Sequence, residues 1–214
     1  MYLTPPRAPP RLGCRGVTLI ELLVAMLLGA GVAATVTWFT RTQFLALEDQ
    51  ASQLDIQTSA RAIVDVFARD VRRAGMDPTC AKNVQGLVDA SPTSIRFQAD
   101  HNSNGALDVA SEDLLYRLVS NARIERGQGE TVEPLLDEVD LTGSRLRYFD
   151  AAGTELTTST SLTSAQRALV RRVRLELAVR TPTRSGSTAT DLVARTATDV
   201  ELRNRFFVGV SGCP

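Results

Sequence analysis

The sequence predicts an α+β fold in which a long N-terminal helix, half membrane-spanning and half amphipathic, packs on a small antiparallel β-sheet domain. Three features predict it: an apolar run over residues 17–39, a helical period continuing to about residue 74, and later segments in which apolar and polar residues alternate. The 214 residues hold 24 basic and 24 acidic side chains. That balance offers no basic field for nucleic acid and no acidic tail.

Residues 1–16 carry Arg7, Arg11 and Arg15 and no acid, so removal of this segment would leave a slightly acidic chain. The run that follows, VTLIELLVAMLLGAGVAATVTWF, would reach about 35 Å as a helix, enough to cross a bilayer. Arginines precede it and only Arg41 closely follows, which predicts a single pass with a cytoplasmic N-terminus and an extracytoplasmic remainder. Trp38 and Phe39 then fall at the outer interface. Gly29, Gly31, Ala25, Ala30, Ala33 and Ala34 give the helix a small-residue surface that suits either close helix packing or plain lipid contact. A secretory signal cut near Val32-Ala33-Ala34 is the alternative, but such signals run shorter and uncharged. Glu21 breaks that alternative. A carboxylate inside a membrane helix costs a few kcal/mol (about 2.5–3.5 on the lenient scale), so Glu21 is a functional candidate whose partner should be a cation.

Beyond Phe39 the helix stays amphipathic, with Ala60, Ile63, Val64, Phe67, Val71 and Ala74 three and four residues apart. Gly75 and then Pro78 predict its end, with Arg72 and Arg73 placed favourably in the last turn. The expected organisation is therefore a leader over 1–16, a membrane half over 17–39, an amphipathic half over 40–75 and an extracytoplasmic β-rich domain over 76–214. Strands are expected at 94–99 (SIRFQA), 114–120 (LLYRLVS), 145–149 (RLRYF) and 170–180 (VRRVRLELAVR), with a further one within 191–207. TPTRSGSTAT at 181–190 reads as a surface loop.

The segment Gly16-Val17-Thr18-Leu19-Ile20-Glu21 resembles the cleavage and methylation signature of type IV pilins and type II secretion pseudopilins. That resemblance implies a prepilin peptidase that cuts after Gly16 and methylates Val17. Val17 stands where the family usually has phenylalanine. It further implies that Glu21 pairs with the amino terminus of a neighbouring subunit. The expected partners are the peptidase, other pilins or pseudopilins through the N-terminal helix, and an inner-membrane assembly platform. Asp70–Gly75 (DVRRAG), 170–175 (VRRVRL) and 202–205 (LRNR) are similar to segments of PilW/PulJ-like minor pilins. A minor pilin is the first expectation, a secretion pseudopilin the second. An anchored calcium-binding or adhesive module that never polymerises is the alternative from another class.

Residues 100–108, DHNSNGALD, place Asp100, Asn102, Asn104 and Asp108 at positions one, three, five and nine of a calcium-loop pattern, with Gly105 at six. The Ala106 carbonyl would complete position seven. Glu112 comes one residue after the position of the bidentate acid, and Asp113 follows it. Strands are expected on both sides, making a calcium-binding hairpin. The competing reading is a plain Asn-Gly turn with solvated aspartates. Of the cysteines, Cys14 falls in the leader, leaving Cys80 and Cys213. An oxidising compartment predicts a disulfide between them, worth about 4–5 kcal/mol by chain-entropy arithmetic; two free thiols are the alternative.

No catalytic motif emerges. His101 is the sole histidine, and H-E-x-x-H, G-x-S-x-G and Walker-type patterns are absent, so no enzyme is expected.

Overall fold

The computed structural model describes residues 16–81, 84–157, 159–181 and 192–206. Helix α1 runs Leu19–Arg72. Its first part is exposed all round from residue 16 to 44 and is apolar and long enough to cross a membrane. Two compact units divide inside α1, between Leu47 and Glu48. The second unit begins at Glu48 and so takes in the outer part of the helix. The cause is the apolar stripe: Ile56, Ala60, Ile63, Val64, Phe67 and Val71 are buried in the domain core. The helix stops where expected. Gly75 adopts a left-handed φ of 77°, and its N–H donates to the Gln98 carbonyl at 2.8 Å.

The strands are β1 (Leu87–Ala90), β2 (Ser94–Gln98), β3 (Asp113–Val119), β4 (Arg123–Gln128), β5 (Thr131–Leu136), β6 (Arg145–Phe149), β7 (Arg172–Thr181) and β8 (Leu192–Glu201). Short helices α2 (Val109–Glu112) and α3 (Ser164–Leu169) intervene, and a 3-10 turn spans Arg203–Phe206. The expectation of one sheet needs correction. Among the described residues there are two antiparallel sheets, β1-β2-β3-β4-β5 and β6-β7-β8. Strands β1, β4 and β5 were not expected: β1 has four residues, β4 reads RIERGQ without clean alternation, and β5 carries Pro134 in an exposed edge strand.

The sheets are stitched together through backbone. Leu146 N–H donates to the Pro92 carbonyl, while the Tyr148 hydroxyl lies 2.9 Å from the Ser91 and Ser94 carbonyls. At the other end Asp140 N–H donates to Ala178 and Arg180 N–H to Glu138. One hydrophobic cluster accordingly joins both sheets and the outer part of α1.

A polar group is buried within that cluster. Asp70 of α1 accepts a 2.6 Å hydrogen bond from the Tyr116 hydroxyl and a 2.9 Å bond from Arg126 Nε. Phe67, one turn earlier, meets Tyr116 edge-on at 5.2 Å. Burial, reinforced by the bond to Asp70, pushes the Tyr116 phenol well above its ordinary range, so it stays a donor. Asp70→Ala should cost about 2–4 kcal/mol in denaturant unfolding because Arg126 loses its counter-charge, and Tyr116→Phe about 1 kcal/mol. Equal, negligible costs would show that the group does not hold the helix.

The outer face of β6-β7-β8 is laced with ion pairs. Arg147 holds Glu155 and Glu176, Arg145 holds Glu176, and Arg174 holds Asp199. Hydrogen bonds from Arg147 and from Arg174 keep Glu155 and Asp199 below the usual carboxylate range, against some opposition from burial. Burial is the largest influence on Glu176 and acts upward, but bonds from Arg145 and Arg147 outweigh it. Depressed carboxylates stabilise the fold above their ordinary values near pH 4 and lose that contribution as pH falls through the folded values. The melting temperature should therefore drop below about pH 4.5. Arg147→Gln should lower it at pH 7 and flatten the acid limb; an unchanged slope would contradict this origin.

Candidate functional site

The first candidate site is the start of α1. Gly16, Val17 and Thr18 precede the helix and are exposed, and among the described residues nothing lies within 4 Å of a Cβ built on Gly16. The Gly16–Val17 bond therefore sits in open, non-helical chain. Thr18 caps the helix: its Oγ1 accepts from Glu21 N–H at 3.3 Å, and its carbonyl accepts from Leu22 N–H at 3.1 Å. Thr18-Leu19-Ile20-Glu21 has the capping-box spacing, so the threonine that starts the helix also sets Glu21 in its first turn. A carboxylate there is favoured by the N-terminal end of the helix dipole.

The second is the loop from β2 to α2. Asp100 is fully buried, and its two oxygens accept from Ser103 N–H (2.6 Å) and Gly105 N–H (3.1 Å). Gly105 takes a φ of 74°, where an added Cβ would lie 2.9 Å from Thr79 Oγ1. Asn102 Oδ1 and Asn104 Oδ1 accept from the N–H groups of Asn104 and Ala106. Glu112 is 1% exposed and reaches back across the loop: Oε1 accepts from His101 and Asn102 N–H, and Oε2 from Asp108 N–H. Asp100 and Glu112 thus hold the same loop from its two ends. Asp108 is spent as the N-cap of α2, accepting from Ala110 N–H and the Ser111 hydroxyl.

Two expectations about this loop change. A helical turn, not a strand, follows it directly, because Asp108 caps residues 109–112. Asp113 faces elsewhere, in a bidentate pair with Arg96 at 2.8 Å. Among the described residues no group of three or more His, Cys, Asp or Glu is gathered in a metal-ligand set. Cys80 is disulfide-bonded. Cys213, its expected partner, lies outside the described residues.

Sequence reasoning passed over α3, whose signal was present: Thr163 and Gln166 form a reciprocal capping box. It also passed over Asp70, Tyr116 and Arg126 as a unit, since nothing in the sequence links positions so far apart.

Comparison with known proteins gives two family matches. Residues 49–202 match the family described as prepilin peptidase-dependent protein B. Residues 11–37 match the prokaryotic N-terminal methylation motif. No curated protein matches. Among solved structures, a type IV-like pilin from Thermus thermophilus is similar at 17% identity, covering 73% of this chain and 96% of that one, with a TM-score of 0.47.

Proposed function

The chain belongs to the prepilin peptidase-dependent protein B family, and from that premise we propose that it is a minor pilin-like structural subunit of a type IV pilus, without enzymatic activity. The observation that carries this reading is the open Gly16–Val17 bond directly before a Thr18-capped, apolar helix with Glu21 in its first turn. Each part has a physical purpose. An exposed, unstructured bond can enter a peptidase site, and removal of the arginine-bearing leader frees an amine at Val17. The apolar helix stores the subunit in the inner membrane, with its N-terminus cytoplasmic and the domain that follows on the periplasmic side. Glu21 is a buried charge in lipid until the Val17 amine of a neighbouring subunit meets it, so assembly is favoured over storage. The assembly platform of the inner membrane would supply that neighbour, and the domain would face outward in the filament.

Calcium is a second proposal, favoured by the convergence of the buried Asp100 and Glu112 on one loop. Hard oxygen donors from Asp100, Asn102, Asn104, the Ala106 carbonyl, Asp108 and Glu112 suit that ion. Binding would require Asp108 to leave its capping bond. A bound ion would stiffen the loop; a Cys80–Cys213 disulfide, proposed on the same compartmental grounds, would tether the C-terminal residues to the end of α1.

Glu21→Ala should leave the chain in the membrane fraction and reduce its recovery in sheared filaments by about tenfold or more, as for loss of a desolvated ion pair. Normal incorporation would remove Glu21 from the assembly step. For calcium, saturating ion should raise the melting temperature of the full chain by about 5–10 °C over chelator, and Glu112→Gln should abolish the rise. An identical melting temperature in both conditions would eliminate the calcium reading.

A further inference from the structure

Asn104-Gly105 is the one asparagine–glycine step in the sequence. Glycine after asparagine leaves the backbone nitrogen unshielded by any Cβ, so that nitrogen can attack the asparagine side chain. In that reaction the Gly105 nitrogen loses its proton to water and bonds to Asn104 Cγ. The Cγ–Nδ2 bond breaks, Nδ2 takes a proton from water and leaves as ammonia, and a further water opens the succinimide to aspartate or isoaspartate. Asn104 is exposed, so water has access to it.

The folded loop blocks the first step. Gly105 N–H donates to Asp100 Oδ2 at 3.1 Å, and Asp100 is fully buried. A hydrogen bond to a carboxylate is stronger than one to a neutral acceptor, and the adjacent negative charge opposes formation of an amide anion. Gly105 is also confined, since at its φ of 74° a Cβ would lie 2.9 Å from Thr79 Oγ1. The same device recurs two residues earlier. Asp100 Oδ1 accepts at 2.6 Å from Ser103 N–H, the nitrogen that would attack Asn102. One buried carboxylate thus holds both nitrogens that follow the loop's two asparagines. Asp100 is itself tied to the end of α1, its N–H donating to the Met76 carbonyl at 2.8 Å.

The amide oxygens are occupied in parallel. Asn102 Oδ1 accepts from Asn104 N–H at 2.9 Å, and Asn104 Oδ1 from Ala106 N–H at 2.8 Å. A donor on Asn104 Oδ1 would by itself favour attack, by stabilising the oxyanion that develops there. That neutral bond is the weaker of the two influences, so the balance falls to Asp100.

We propose that Asn104 is a deamidation site gated by Asp100, inert while the loop is closed and converted when local opening frees Gly105 N–H. Conversion places a new carboxylate in a loop that already holds Asp100 and Glu112. Isoaspartate also adds a backbone carbon beside a glycine packed against Thr79. Either product disfavours reclosure, so the reaction records loop opening irreversibly.

The test ages the purified full-length chain in detergent, in mildly alkaline buffer with a chelator so that no bound cation takes part. Asn104 is followed by peptide mass spectrometry with and without denaturant. Deamidation in the folded wild type is expected to be about tenfold slower, or more, than in the denatured chain. Asp100→Asn, which leaves one oxygen for two N–H groups, should speed it about three- to tenfold in the folded protein. Equal rates in folded and denatured wild type would overturn the gate, as would no conversion of Asn104 in the denatured chain, and that comparison holds even if Asp100→Asn does not fold. An unchanged rate in folded Asp100→Asn would remove Asp100 from the gate, and a slower one would make its carboxylate a base that promotes the reaction; either overturns the proposal.

Discussion

The domain depends on how one turn of α1 is held against β3 and β4. Phe67 supplies apolar area, Asp70 supplies a carboxylate, and Tyr116 receives both, its ring edge-on to Phe67 and its hydroxyl on Asp70. Arg126 closes the group from the next strand. An aspartate is a costly residue on the buried side of a helix, and it is tolerable only with a donor and a counter-charge in place. The cost yields direction. An apolar stripe alone would let the helix slide or rotate by a residue or two over the sheet, whereas a hydrogen-bonded carboxylate admits one position. Fixing this turn fixes which side of α1 faces outward within the second unit.

Much of the chain was legible because its physics is local. The length and polarity of α1, its stop at Gly75 and the strands near 94–99, 114–120, 145–149 and 170–180 all follow from periodicity and turn chemistry. What escaped notice depends on partners distant in sequence. Strand β5 holds Pro134 and is largely exposed, so its pairing with β4 decides its conformation where its pattern could not. The charged strand β4 takes its conformation from antiparallel pairing with β3 and β5, with Arg117 of β3 opposite Glu125. Two sheets replaced one because β6 crosses to the turn between β1 and β2, a tertiary event with no sequence period.

The candidate sites divide along the same line. The processing segment reads directly from the sequence, since a cap, an exposed bond and a carboxylate in the first turn lie within six residues. The loop at 100–112 was legible as a pattern but not in its details. Glu112 was expected to be displaced from its task by one residue, yet the single helical turn capped by Asp108 swings it back over His101 and Asn102. Asp113, adjacent in sequence, points to the opposite face of the strand and serves Arg96.

The arginines of β2, β3, β4, β6 and β7 are ion-paired, one of them to Asp70 of the helix, while Glu21 stands in the apolar first part of α1. The central claim is that the chain is matured by a prepilin peptidase, and the most direct test is the intact mass and N-terminal sequence of protein recovered from membranes with and without that enzyme. A peptidase-dependent product beginning at N-methylated Val17 is expected. A chain that begins near Ala34, or one that stays uncut in the presence of the peptidase, would contradict it.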